Sequence, residues 1–137
     1  MTYKVIDHTA DVCVRVSAKS LKDLLKNAAK AMMRIITNPE KVKPMKSIKM
    51  SVKGDNKEEV LVKWLQEILY KVEVKKMLFK DFEILDINDK YVSGKAYGEN
   101  IDLKRHDLLH QIKAITHHNL TIKKAKDKLT VDIVFDI

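Results

Sequence analysis

Two aspartates at opposite ends of the chain carry the clearest chemistry in this sequence. Asp11 closes the run His8-Thr9-Ala10-Asp11, and Asp136 sits within Phe135-Asp136-Ile137. Each lies where a strand meets a loop or a terminus. If the first and last strands pair in a sheet, as small α+β domains often arrange, the two carboxylates converge on one spot. With the terminal carboxylate of Ile137 they make an oxygen-rich cluster suited to a hard divalent cation. An all-oxygen set favours calcium first, with magnesium or manganese as alternatives, over zinc. Aspartates at short strand edges are also common where no site exists, so these residues alone leave both readings open.

Other ionisable residues are weaker candidates. His8, three residues before Asp11, is read as fixing the Asp11 loop by hydrogen bonding rather than as a ligand, because imidazole is a poor partner for calcium. Asp132 is a possible further carboxylate on the last strand. His106 and His110 have the i, i+4 spacing of a zinc pair but lack a carboxylate or thiol to complete it. His106 reads more simply as a satisfied loop histidine. His117 and His118 are adjacent at a turn, where strand neighbours point to opposite faces and cannot chelate together. Lys113 alternates against Ile112 and Ala114, and is either a solvated strand lysine or a functional cation. No Gly-x-Ser-x-Gly elbow or glycine-rich phosphate loop occurs, and the single Cys13, expected to be buried, completes no nucleophile–base signature. An independent enzyme is therefore not expected. A metal-dependent hydrolase built on the aspartates and a basic RNA-binding or chaperone module remain as alternatives.

The elements that must position these groups follow from the apolar patterning. Val12, Val14 and Val16 alternate with Cys13, Arg15 and Ser17, so the first 18 or so residues read as paired strands. Asp11 then lies in phase with Cys13 and Arg15, off the valine face. Ser20 with Asp23 three residues on is a capping pattern. It opens a helix whose apolar residues are Leu21, Leu24, Leu25, Ala28, Met32 and Ile35, ended before Pro39. Ile48, Met50 and Val52 mark a strand. Asp55 or Asn56 caps a longer helix, with Glu58 and Glu59 in its first turn. Its stripe of Val60, Leu61, Trp64, Leu65, Ile68, Leu69 and Val72 makes Trp64 a packing residue.

From Met77 a strand through Phe82, Ile84 and Ile87 turns at Asn88-Asp89 and returns over Tyr91 to Tyr97. Gly98 to Asp107 is read as irregular. Strands are expected over Gln111 to Thr116, Leu120 to Lys123 and Leu129 to Phe135, joined by turns at His118-Asn119 and Asp127-Lys128. In the last of these Leu129, Val131, Ile133 and Phe135 share one face. Thr130, Asp132, Val134 and Asp136 share the other, so both terminal aspartates point off the core. The expected fold is α+β: one domain over residues 1–137, with two long helices packed on largely antiparallel sheet.

The composition, 45% hydrophobic and 34% charged over 137 residues, is that of a globular domain. One cysteine excludes an internal disulfide framework. No signal peptide is recognisable and no apolar run approaches the ~18 residues of a membrane span, so a soluble, cytoplasmic protein with no membrane partner is expected. The net charge of +8 rests on lysine, since Arg15, Arg34 and Arg105 are the only arginines among 27 basic residues. Lysine is a point charge and arginine the bidentate reader. With lysines scattered along every element and aromatics at 6%, a solvated surface is the favoured reading over a nucleic-acid stripe.

Several segments together resemble the archease family. They are His8-Thr9-Ala10-Asp11, Leu61-Val62-Lys63-Trp64-Leu65, Gly98-Glu99, Arg105-His106, Lys113-Ala114-Ile115-Thr116-His117-His118 and the closing Val134-Phe135-Asp136-Ile137. The resemblance spans essentially the whole chain, and its specificity lies in the order and spacing of these pieces. One departure is Cys13, where the family usually has a smaller residue. Archeases assist the RtcB-type RNA ligase in tRNA splicing and repair. The resemblance implies an accessory protein that promotes guanylylation of the ligase and its repeated turnover, with the ligase as partner and tRNA contacted weakly or indirectly. It also implies a divalent cation held by Asp11, Asp136 and a main-chain or terminal oxygen of Ile137, and a role for Lys113 in activating the ligase.

Overall fold

Two antiparallel sheets share a pair of helices in the computed structural model, which describes residues 10–117 and 119–137. The elements in chain order are β1 (Asp11–Ala18), α1 (Leu21–Ile36), a 3-10 turn (Pro39–Lys41), β2 (Lys46–Lys53), α2 (Lys57–Glu73), β3 (Met77–Asn88), β4 (Tyr91–Asn100), β5 (Ala114–Thr116), β6 (Lys123–Ala125) and β7 (Lys128–Asp136). The fold is α+β, as the sequence predicts. In the first sheet β7 is central. β1 runs along one of its edges, while β6 and β5 take the early and late parts of the other. The second sheet has the order β2-β4-β3.

Local chemistry explains the helix boundaries. The Ser20 hydroxyl accepts from the Asp23 N–H at 3.1 Å, satisfying one of the orphan donors of the first turn of α1. Asn56 does the same for α2, accepting from Glu59 at 2.9 Å, so Asn56 and not Asp55 is the cap. The α2 stripe is buried as expected. On α1 the buried set extends to Ala29, Met33 and Ile36, while Leu21 and Ile35 are only partly covered. The physical reason is that α1 touches β1 and β7 of one sheet and β3 of the other, so more than one stripe is covered. Trp64 is fully buried, donates from Nε1 to the Leu25 carbonyl at 3.3 Å and meets Phe82 edge-on. It is a packing residue.

The C-terminal half departs from the expected boundaries. Gly98 to Asn100 belong to β4, and Gly98 is required there: a Cβ would collide with the Leu78 carbonyl oxygen on β3. β5 begins only at Ala114. The segment 120–122 is not a strand, because the Ile122 amide bonds to the Glu58 carboxylate at 2.9 Å rather than to a ladder. The hairpin turn falls at Lys126-Asp127, with Ala125 opposite Lys128. Cys13, expected to be buried, is exposed: the period of two in β1 places it with Asp11 and Arg15 on the solvent face. Among the described residues no helix is long and apolar enough to cross a membrane.

Candidate metal centre

Asp11 and Asp136 face each other directly across the β1–β7 ladder. The Ile137 N–H donates to the Ala10 carbonyl at 2.9 Å, which makes the neighbouring Asp11–Asp136 pair a non-hydrogen-bonded one. In such pairs the side chains stand closer together, with Cα atoms about 4.5 Å apart. On the other edge the Asp136 carbonyl accepts from the Lys113 N–H at 2.7 Å, and Ala114 lies opposite Asp136. Three strands therefore meet at this corner, with Asp136 in the middle.

Among the described residues no cationic side chain pairs with either aspartate at this corner. Like charges directly opposite on a sheet face destabilise it. Among the described residues Asp136 Oδ1 is buried with no hydrogen-bond partner, a costly state for a carboxylate oxygen. A hard cation seated between the two carboxylates would relieve both penalties. The donor set fits such an ion: two carboxylates and the adjacent main-chain oxygens, all oxygen. Among the described residues no group of three or more His, Cys, Asp or Glu side chains gathers at one point. The carboxylate set here is thus two, with main-chain oxygens as the remaining protein donors. His8 lies outside the described residues. The side chain of Lys113 is exposed beside this corner, its backbone anchored to Asp136.

Asp132 does not join the cluster. It shares the solvent face but lies four residues along β7 from Asp136, about 13 Å, and Arg15 occupies both of its oxygens at 2.8 and 3.1 Å. The hydrogen bonds from Arg15 hold its carboxyl below the usual range. The zinc-like spacing of His106 and His110 also dissolves. His106 is buried, accepts the Asp102 N–H at Nδ1 (2.9 Å) and therefore donates from Nε2 to Glu99 at 3.0 Å, whereas His110 is exposed. His117 is exposed by the first turn of α2, and His118 lies outside the described residues.

Residue patterns alone did not disclose the use of Glu99. Its carboxylate is nearly buried and accepts from Arg105 at 2.5 and 2.9 Å, from the Lys43 N–H at 2.6 Å and from His106. Arg105 also donates to the Lys41 carbonyl at 3.1 Å. One carboxylate thus ties the end of β4 to the 41–43 segment and to the loop that leads towards Lys113. The available signal was the placement of Arg105-His106 six and seven residues after Glu99.

The Archease protein family (MTH1598/TM1083) matches residues 3–137. The chain belongs to this family. The archease of Methanopyrus kandleri is 35% identical over 140 residues, covering 100% of both chains. That of Methanosarcina barkeri is 34% identical over 139 residues, covering 98% of this chain and 95% of the relative. Two solved structures share the fold. The solution structure of Methanobacterium thermoautotrophicum protein 1598 superposes with a TM-score of 0.76 at 23% identity, covering 96% of each chain. The crystal structure of an archease, possible chaperone, from Thermotoga maritima superposes with a TM-score of 0.71 at 18% identity, covering 100% of this chain and 98% of the other. Both speak to the archease architecture of the two sheets and two helices.

Proposed function

We propose that this protein is a cytoplasmic accessory factor, without catalysis of its own, that activates an RtcB-type RNA ligase. In this reading it promotes guanylylation of the ligase and repeated turnover, acting on tRNA through the ligase. Family membership supports the partner, and one structural observation carries the site: Asp11 opposite Asp136, with Asp136 Oδ1 buried and unpartnered among the described residues. Asp11, Asp136 and a main-chain oxygen of Ile137 would hold a divalent cation, calcium first and magnesium or manganese next. When bound, that ion supplies positive charge able to balance phosphate charge at the nucleotide site of the ligase. The chain's own contribution is placement. The pairing of β1 with β7 sets the two carboxylates, and the Lys113 N–H fixes the Asp136 backbone. Lys113 presents a second, exposed positive charge at the same corner.

The test is ligase guanylylation and multiple-turnover joining with Asp11→Ala and Asp136→Ala. Both side chains lie off the core face, so neither variant opens a large cavity. Each is expected to fold, to lose measurable cation binding by calorimetry and to lose stimulation of the ligase. Wild-type stimulation by either folded variant removes the cation corner from the mechanism. Lys113→Ala is expected to retain cation binding and lose stimulation.

A further inference from the structure

Lysines that are dispersed in the sequence are gathered by the fold at the end of the first sheet opposite the aspartates. Lys124, Lys126 and Lys128 on the β6–β7 hairpin meet Lys19, which follows β1, around a surface concavity of about 280 Å³. All four are exposed. Four lysines on other elements pair with carboxylates: Lys30 with Asp81, Lys41 with Asp107, Lys63 with Glu59 and Lys71 with Glu67. Among the described residues none of the four around the concavity does, and Asp127 in their midst pairs with none of them. Four lysines against one aspartate leave an excess of positive charge in one concavity, which raises the local potential and attracts polyanions.

A second observation concerns the hairpin tip. Lys126 has φ 57°, the left-handed region in a two-residue turn where Gly or Asn costs least. The chain keeps a lysine there, so the turn carries charge where a glycine would relieve strain. We propose that this hairpin tip, with Lys19, binds the phosphodiester backbone of a folded RNA.

The chemistry of the patch selects this ligand. Among the described residues no arginine lines the concavity to read base edges bidentately, and no aromatic side chain there offers a stacking platform for single strands. Four point charges suit a duplex backbone read by shape. A membrane surface is disfavoured because none of the exposed large apolar residues lies on this hairpin to act as an anchor. Lys128 and Asp136 lie eight residues apart on β7, about 26 Å, so RNA held here leaves the aspartate corner open. The assignment does not rest on the ligase reading and is tested on the protein alone.

The experiment is fluorescence anisotropy with a labelled duplex RNA hairpin, titrated between about 50 and 200 mM salt. Four phosphate contacts on a duplex predict a log–log slope of about −3.6, hence roughly a 150-fold loss of affinity over that range. The combined K19Q, K124Q, K126Q and K128Q variant is expected to lose most of this slope. A control removing equal charge from exposed lysines elsewhere (K49Q, K53Q, K75Q and K90Q) is expected to keep it. Lys126→Gly alone is expected to bind RNA several-fold more weakly while melting no lower than wild type, which a purely structural role would not produce. Equal losses in patch and control variants, or tighter binding to phosphatidylglycerol vesicles than to RNA, would overturn the proposal.

Discussion

Glu99 shows how much one carboxylate can organise. Two N–H bonds from Arg105, then the Lys43 amide and His106, hold its carboxyl well below the carboxylate range despite burial, which acts the other way. The depressed folded-state value makes Glu99 a source of acid sensitivity. Its stability contribution is fully present above the unfolded value of 4.5. Below that value the unfolded chain takes up a proton that the folded chain refuses, so the contribution is lost as pH falls towards the folded value. Glu99→Gln should cost about 2–3 kcal/mol at neutral pH, because His106, Arg105 and the Lys43 amide lose a charged acceptor in a nearly buried setting. It should also flatten the acid limb of the stability profile. Urea unfolding of both proteins at neutral pH and at pH values below 4.5 reads both effects. An unchanged acid limb would assign the acid sensitivity to other carboxylates.

At the level of elements, the helices are set by chemistry close to them in sequence. The Asn56 side chain is the sole side-chain acceptor seen for the first turn of α2 among the described residues, so Asn56→Ala should lower stability by about 1 kcal/mol. A fall in melting temperature with unchanged ligase stimulation would separate that cap from function. Such local signals explain what the sequence made legible: the Ser20 cap, the α2 stripe with Trp64, the β3–β4 hairpin, and the alternation that put Asp11 and Asp136 off the core. The limits of β5 and β6 were not legible. Each is three residues long and exists because β7 offers an open edge, and the Glu58 carboxylate claims the Ile122 amide that a longer strand would use. The Glu99 clasp was equally hidden, since its partners come from three segments that only the folded sheet brings together. The lysine patch was hidden for the same reason, because Lys19 and the hairpin meet only through the pairing of β1 with β7.

For the whole molecule, the aspartate corner lies entirely on the first sheet, while both sheets lean on the same two helices. Cation binding should therefore act on two levels. Locally it should hold β1, β7 and β5 together at one corner, slowing amide exchange at Ile137, which donates to Ala10, and at Lys113, which donates to Asp136. Amides of the β3–β4 ladder open by a separate route, and should slow only to the extent that they exchange through global unfolding. Globally, a ligand that binds only the folded chain stabilises it by about 2.7 kcal/mol at a hundredfold excess over its dissociation constant. For a domain of this size that corresponds to a rise in melting temperature of about 10 °C. Asp136→Asn removes the like-charge pair and lets the buried Oδ1 position be served by an amide. Without cation it should melt no lower than wild type, and it should show no rise when calcium is added. Hydrogen exchange and thermal melts with and without calcium, on both proteins, measure these effects together. Protection spread evenly over both sheets, or a calcium response retained by Asp136→Asn, would place the ion somewhere other than between Asp11 and Asp136.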